Sequence, residues 1–147
     1  MKRMLALLLV FLVMAPAAWS ETDSTTEEKS MMLEITVGDQ TFTVTLADNE
    51  SAAAFAALLP MTLDMSELNG NEKYHYMKND LPSDPQRVEY IEAGDLMLYG
   101  GDCVVLFYQS FATPYRYTRI GRVDDVSGLR EALGRGGVTV RFAIRED

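Results

Sequence analysis

The sequence is poor in the residues that most often build catalytic and metal centres. Its 147 residues include one cysteine, Cys103, and one histidine, His75. An intramolecular disulfide needs a second cysteine, and a zinc site built on a His or Cys cluster needs further ligands of these types. We therefore expect no metal, no cofactor and no disulfide. Because Cys103 lies in the apolar run CVVLFY, we predict a buried and slowly reacting thiol.

Basic side chains are also scarce. The 13 lysines and arginines are outnumbered by 22 aspartates and glutamates, which gives a formal net charge of −9. A negative field repels phosphate groups, and the basic residues form no run that could override it. We expect no nucleic-acid partner.

The chain begins MKRMLALLLVFLVMAPAAWSE, which has the pattern of a secretory signal peptide. Lys2 and Arg3 precede an apolar run that is shorter than the roughly 20 residues of a membrane-spanning helix. Ala18 and Ser20 supply small residues at the positions that a signal peptidase reads. We predict cleavage after Ser20, a periplasmic or secreted protein, and no stable membrane span after processing. The alternative is an uncleaved membrane anchor.

The predicted mature chain divides into a tether and one domain. Removal of residues 1–20 takes away Lys2 and Arg3, so the formal charge becomes −11. Residues 21–30, ETDSTTEEKS, have no apolar side chain and are expected to be a solvated tether. Residues 31–147 are long enough for one core and too short for two.

Period-two alternation dominates this domain. LEITV and TFTVTL flank Gly38-Asp39, and MTLDMSEL and EKYHYM flank Asn69-Gly70, so each pair is predicted to form a hairpin. The later runs VEYI, LMLY, CVVLFY, RIGRV and VTVRFAI also read as strands, with CVVLFY buried on both faces. KNDLPSDPQ and QSFATPYRYT are expected to be loops.

Two short helices interrupt the strands. One follows the capping residues Asp48 and Asn49 and stops before Pro60, and the other is VSGLREALG, which ends at Gly134. Many antiparallel strands with two short helices predict a mainly β fold, closed into a barrel that has no exposed edge.

Several distinctive segments follow one another over nearly all of residues 31–144: NGNEKYHYM, Leu81-Pro82, GDLMLYG, VVLFYQSF, and YTRIGRV followed by LREALG. In this order they resemble the bacterial cyclophilin-like proteins of uncharacterised function. The resemblance implies a small closed eight-stranded β-barrel flanked by helices, similar to that of the peptidyl-prolyl isomerases called cyclophilins.

The same resemblance implies a prolyl-peptide site that uses an arginine on one barrel strand and a glutamine shortly afterward. The corresponding strand here, EKYHYM, has no arginine, and Lys73 lacks the planar fork of a guanidinium. Gln109 and Phe111 are candidate counterparts of pocket residues. His75 shares a strand face with Lys73 and is interpreted first as an ordinary strand residue, with a functional acid-base group as the alternative. Lining a groove is the largest role that we expect of it.

Aromatic residues supply the main candidate binding surface. Most are expected in the core or in cross-strand pairs, while Tyr99, Phe111 and Tyr115 lie near turns and are predicted to form a groove beside the LPSDP loop. The full candidate ligand-binding set is Lys73, His75, Tyr99, Phe107, Gln109, Phe111 and Tyr115.

These patterns are compatible with three functions. The first is binding of a peptide or small molecule without chemistry, and the alternative is a prolyl cis-trans isomerase with an atypical active site. A third and weaker hypothesis is a redox accessory, although no flavin-binding signature is visible in the sequence.

Overall fold

The computed structural model describes residues 30–146. The predicted signal peptide, residues 1–20, and all of the predicted tether except Ser30 lie outside the described residues. The predicted domain, residues 31–147, lies inside them except for its last residue. The strands are β1 (Met32–Val37), β2 (Gln40–Leu46), β3 (Met61–Leu68), β4 (Glu72–Tyr76), β5 (Gln86–Arg87), β6 (Tyr90–Ile91), β7 (Asp95–Tyr99), β8 (Cys103–Phe107), β9 (Phe111–Ala112), β10 (Arg116–Val123) and β11 (Val138–Ile144), and the helices are α1 (Glu50–Ala57) and α2 (Leu129–Leu133).

Eight of these strands form a closed antiparallel barrel. Its order is β2-β1-β11-β3-β4-β8-β7-β10, and β10 pairs back with β2 through the register Gly121 to Leu46. The two-residue strand β5 extends the sheet beside β10, and β6 pairs with β9 as a separate ribbon. The predicted mainly β, eight-stranded closed barrel with two short helices is confirmed.

The two predicted hairpins form where their turn residues allow a left-handed backbone. Gly38 follows β1 with a φ of 60°, while Asn69 and Gly70 have φ values of 56° and 68°. Two successive residues with positive φ are what a tight hairpin turn of the I′ type requires, and Asn-Gly satisfies that requirement at low cost. This turn sets the register of β3 against β4, in which Leu68 lies opposite Glu72.

The barrel interior is filled by the inward side chains of the strands and by both helices. Asn49 caps α1 by accepting a hydrogen bond from the Ala52 amide at 2.8 Å, as the sequence predicts for this position. Phe55 of α1 is fully buried, and its ring meets Phe142 edge to face at 5.4 Å. Leu129 and Leu133 of α2 join the same interior cluster.

A second apolar cluster lies on the outer face of β7 and β8. Leu96 and Leu98 of β7 point into the barrel, whereas Met97 between them belongs to the outer cluster. On β8, Cys103, Val105 and Phe107 are likewise in the outer cluster. The other members are Ile91 and Tyr117, with Tyr74, Val88 and Phe111 packed against them. CVVLFY is therefore buried on both faces, as predicted.

Two segment predictions need correction. QSFATPYRYT is not entirely loop, because β9 occupies Phe111–Ala112 and β10 begins at Arg116. VEYI is a strand only at Tyr90–Ile91, where it pairs with β9. In both segments the strand bounds depend on pairing partners that are distant in the sequence, which local alternation cannot specify.

Within residues 30–146, none of the helices is long and apolar enough to span a membrane.

Candidate functional site

The outer face of three neighbouring strands presents a continuous surface. Because side chains alternate along a strand, Glu72, Tyr74 and Tyr76 of β4 share one face. Cross-strand pairing sets Tyr74 opposite Val105 and Tyr76 opposite Cys103. On the next strand, Tyr99 lies opposite Cys103. The face shared by β4, β8 and β7 therefore carries tyrosines around a small apolar floor.

The chain after β8 folds over this floor and supplies further aromatic rings. Phe107, which is fully buried, lies beneath Phe111 at a ring-centroid distance of 5.7 Å and beneath Tyr117 at 5.6 Å. Tyr99 contacts Tyr115 at 6.1 Å and Tyr117 at 5.6 Å. These ring contacts fix the segment from Phe111 to Tyr117 against the barrel wall.

Between this segment and the hairpin of β3 and β4 lies an open cavity of about 350 Å³, which we call the aromatic groove. Six of its twelve lining residues are aromatic, and these line it together with two asparagines, one carboxylate and one thiol. The lining residues are Leu68, Asn69, Asn71, Glu72, Tyr74, Tyr76, Tyr99, Cys103, Val105, Phe111, Tyr115 and Tyr117. A concave, mainly apolar surface with a few polar groups is typical of a small-molecule or peptide site.

Glu72 is the only acidic residue among those that line the groove. Burial, followed by the nearby negative charge of Glu67, raises its pKa from 4.5 to about 7. A carboxyl group with a pKa near neutrality changes its charge with modest changes in surroundings, and such groups are often found at binding or catalytic sites. Glu72 therefore gives the groove a charge that depends on pH and on what binds there.

Asn71 precedes Glu72 in the chain, also lines the groove and has an unpaired acceptor. Its side-chain oxygen Oδ1 is buried and, in the described part of the chain, is the one buried side-chain nitrogen or oxygen without a hydrogen-bond partner. Leaving a buried acceptor unpaired costs roughly 1–3 kcal/mol.

Lys73 points away from the groove and is fully buried. Its Nζ donates hydrogen bonds to Glu67 Oε2 at 3.1 Å and to the carbonyl oxygens of Gly134 and Gly136 at 2.8 and 2.6 Å. The Tyr108 hydroxyl also donates to Glu67. Burial alone raises the pKa of Glu67, but the hydrogen bonds from Tyr108 and Lys73 outweigh it, so that the pKa lies below 4.5. The lysine joins β3 and β4 to the turn before β11.

The structure brings together three of the residues that the sequence indicates for binding. Tyr99, Phe111 and Tyr115 line the groove, and Phe107 lies directly beneath it. The LPSDP loop does not line this groove; Pro82 and Asp84 line a separate depression, which also contains Tyr117.

The other three candidates lie elsewhere. Lys73 is enclosed as described above. His75 Nδ1 is 2.8 Å from the Asp64 carbonyl oxygen, and the Gln109 side chain accepts a hydrogen bond from Arg130 at 2.7 Å. None of the three is a lining residue of the aromatic groove.

Sequence reasoning missed most of the β4 contribution. Glu72, Tyr74 and Tyr76 fall on one strand face in the printed sequence, and that alternation was the available signal. The alternation does not show which face of β4 lies outside the barrel. Lys73 and His75 are polar, yet they occupy the face that turns inward.

Residues 30–146 contain no cluster of three or more His, Cys, Asp or Glu side chains with the geometry to hold a metal ion.

Comparisons with known proteins agree with this architecture. The sequence profile described as the cyclophilin-like family matches residues 35–143. The solution structure of a hypothetical protein from Archaeoglobus fulgidus superposes with a TM-score of 0.57 at 22% identity, covering 79% of this chain and 95% of that chain. At this identity the likeness concerns the fold alone. Among curated proteins, none matches the sequence.

Proposed function

The chain belongs to the cyclophilin-like family, and we propose that it is an exported binding protein whose aromatic groove takes a peptide or a small molecule. The observation that carries this proposal is the groove itself, about 350 Å³ in volume and lined by six aromatic side chains. Aromatic side chains offer large contact areas and lose few degrees of freedom on binding.

The wall of the groove is supported from behind, which favours binding without large rearrangement. Met97, Val105 and Phe107 of the outer apolar cluster are almost completely buried, and ring contacts tie Phe111 and Tyr117 to Phe107. Groups held in place before a ligand arrives lose less entropy on association. The more exposed rings, such as Tyr115, remain available for contact.

Binding is favoured over isomerase chemistry by the charges that face the groove. Its described lining contains no lysine, arginine or histidine. Lys73, the cation among the candidate binding residues, already meets three acceptors inside the barrel. The described lining therefore lacks a cation that would stabilise a twisted imide, whereas contacts that fit a ligand are plentiful.

The binding proposal is tested by screening a library of short peptides and small organic fragments against the purified protein. Five of the seven tyrosines line the groove, so tyrosine emission and NMR shifts of these rings report on occupancy. A ligand of the groove should bind at least fivefold more weakly to Tyr115→Ala.

The matched control is Tyr90→Ala, because Tyr90 is 53% exposed and Tyr115 57%, yet only Tyr115 lines the groove. Tyr90→Ala should leave the affinity unchanged. Some ligands could bind without changing the signals of the groove tyrosines and with the same affinity for Tyr115→Ala. Such ligands would count against the groove as the binding site. A complete lack of ligands in the screen would count against the function itself.

Export is tested separately on the intact gene product in its own cells. The basic start, the apolar run and the small residues near position 20 support secretion and cleavage. We expect N-terminal sequencing of the envelope or secreted fraction to begin at Glu21. A membrane-bound protein that begins at Met1 would contradict this part of the proposal.

A further inference from the structure

We infer that the ligand of the aromatic groove carries an ammonium group, bound among the tyrosine rings beside Glu72. This inference rests on the binding function proposed above and adds the chemical class of the ligand. It follows from the charge, the rings and the hydrogen-bonding groups that the groove presents.

The charges that face the groove are of one sign. Glu72 is the one ionisable carboxylate of the twelve lining residues, and none of those twelve is basic. Lys73, its neighbour in sequence, does not neutralise it from within the groove, because its ammonium group is fully buried on the opposite face and is bound there to Glu67. A cation would therefore meet an unpaired negative charge, whereas an anion would be repelled.

The pKa values of two other lining residues, Cys103 and Tyr117, also reflect the negative charge of Glu72. Burial and then the negative charges of Asp102 and Glu72 raise the pKa of Cys103 to about 11. Burial, with the charge of Glu72 as the next cause, also raises the pKa of Tyr117. Burial disfavours a charge of either sign, but the contribution of Glu72 to both shifts is one that repels anions and attracts cations.

The rings add a second attraction for cations. Tyr74 and Tyr76 contact each other edge to face at 5.8 Å, and Tyr99 and Tyr115 do so at 6.1 Å. An aromatic face attracts an ammonium ion by roughly 0.5–2 kcal/mol, depending on how far the ion is desolvated. A groove with several tyrosines can bring more than one ring to the same ion.

The hydrogen-bonding groups favour a donor. The Glu72 carboxylate accepts hydrogen bonds when it is ionised. An ammonium group supplies three donors and no acceptor, so it complements this carboxylate. A carboxylate of the same size would place acceptors against acceptors.

The test uses three probes with one carbon skeleton and three head groups: 3,3-dimethylbutylammonium, 3,3-dimethylbutan-1-ol and 3,3-dimethylbutanoate. Each is titrated into the purified protein at pH 8, and the NMR shifts of the groove residues are followed. We expect the ammonium probe to bind at least fivefold more tightly than the alcohol and the carboxylate to bind most weakly.

Glu72→Gln should lower the affinity for the ammonium probe about fivefold and leave that for the alcohol within twofold. The control is Glu131→Gln, which removes an exposed carboxylate of α2 that does not line the groove and should change neither affinity. A neutral glutamine retains most of the shape of the glutamate, and circular dichroism of both variants verifies that the barrel is intact.

The pH dependence gives an independent readout. Between pH 6 and 8 the ammonium probe should bind several-fold more tightly as Glu72 ionises, while binding of the alcohol stays constant. The groups coupled to Glu72 titrate outside this range: the pKa of Glu67 lies below 4.5, those of Cys103 and Tyr108 are about 11 and 12, and that of Tyr117 is raised above 10.

Equal affinity for the ammonium and alcohol probes would overturn the inference while leaving groove binding intact. Preference for the carboxylate, binding that does not respond to Glu72→Gln, or no binding of the ammonium probe would also overturn it. The peptide and fragment screen tests the proposed binding function independently of these outcomes. It includes neutral and anionic ligands, and its diagnostic variant is Tyr115→Ala rather than Glu72→Gln.

Discussion

Cys103 lines a cavity and yet is almost completely buried. It is 4% exposed, as the apolar run around it predicts, and burial together with the charges of Asp102 and Glu72 raises its pKa to about 11. At pH 7 roughly one thiol in 10⁴ is then ionised, about two orders of magnitude fewer than for an ordinary cysteine.

We therefore predict that an aromatic disulfide reagent modifies native Cys103 at least a hundredfold more slowly than the unfolded chain. The rate is followed by absorbance at pH 7 in buffer and in denaturant. Rapid and complete modification of the native protein would show that β8 does not shield this thiol.

Glu72 couples the groove to the stability of the fold. Its pKa in the folded protein, about 7, lies above the ordinary value of 4.5, so the native state binds the proton more tightly than the unfolded state does. The stability that this group contributes is fully present below about pH 4.5 and is lost as the pH rises through 7.

We predict that Glu72→Gln raises the free energy of unfolding relative to the wild type by about 1–2 kcal/mol more at pH 8 than at pH 5, solvent screening of the half-buried carboxyl included. Urea unfolding at the two pH values measures this difference. Glu131→Gln should show no such pH-dependent gain, and a Glu72 variant that behaves like it would refute the coupling.

At the scale of elements, barrel closure depends on a residue without a side chain. Gly121 of β10 pairs with Leu46 of β2, and a Cβ at this position would lie 2.6 Å from the carbonyl oxygen of Thr45 and 3.0 Å from Val44 Cγ1. The carbonyl belongs to the paired strand and cannot move aside without disturbing the ladder. The register of β10 against β7 also shifts between Arg119 and Gly121.

We predict that Gly121→Ala destabilises the protein by about 1–3 kcal/mol, the usual cost of adding a methyl group where no space exists. Gly136→Ala is the control, since a Cβ there meets nothing within 4 Å and its change should stay within about 0.5 kcal/mol. Thermal or urea unfolding compares them. Equal stabilities of the two variants would show that β2 and β10 accommodate the added methyl group without cost.

The elements also show what the sequence can and cannot predict. Some local structure depends only on neighbouring residues and is predictable from the sequence. Examples are the Asn69-Gly70 turn, which needs positive φ angles, and the helix cap at Asn49. The start of β10 at Arg116 is set by partners in β5 and β7, which local alternation does not reveal.

The candidate site was predictable to a similar degree. The sequence indicates Tyr99, Phe111 and Tyr115 as a set because all three stand near turns, and all three line the groove. Lys73 was misleading as a candidate, since a lysine is ordinarily exposed and only the fold brings the carbonyl oxygens of Gly134 and Gly136 to it. Tertiary contacts of this kind leave no local trace in the sequence.

At the scale of the whole molecule, the barrel identifies the family, whereas the side chains of the groove determine what the protein can bind or catalyse. The closed barrel is shared with the cyclophilin-like family, whereas the groove on its outer face is acidic and rich in tyrosine. A fold supports many functions, and activity depends on the groups at a site. The catalytic power of this molecule therefore has to be judged from the groove rather than from the barrel.

We predict that the protein accelerates prolyl isomerisation little or not at all on an alanine-proline peptide. The uncatalysed barrier is about 20 kcal/mol, and a thousandfold acceleration needs about 4 kcal/mol of preferential stabilisation of the twisted amide. The described lining of the groove offers amide and hydroxyl donors but no cation, and Lys73 is bound to three acceptors inside the barrel. A protease-coupled assay at micromolar protein measures the rate. Robust turnover that is lost in Tyr115→Ala and retained in Tyr90→Ala would contradict this prediction and would place an isomerase site in the groove, stabilising the twisted amide without a positive charge.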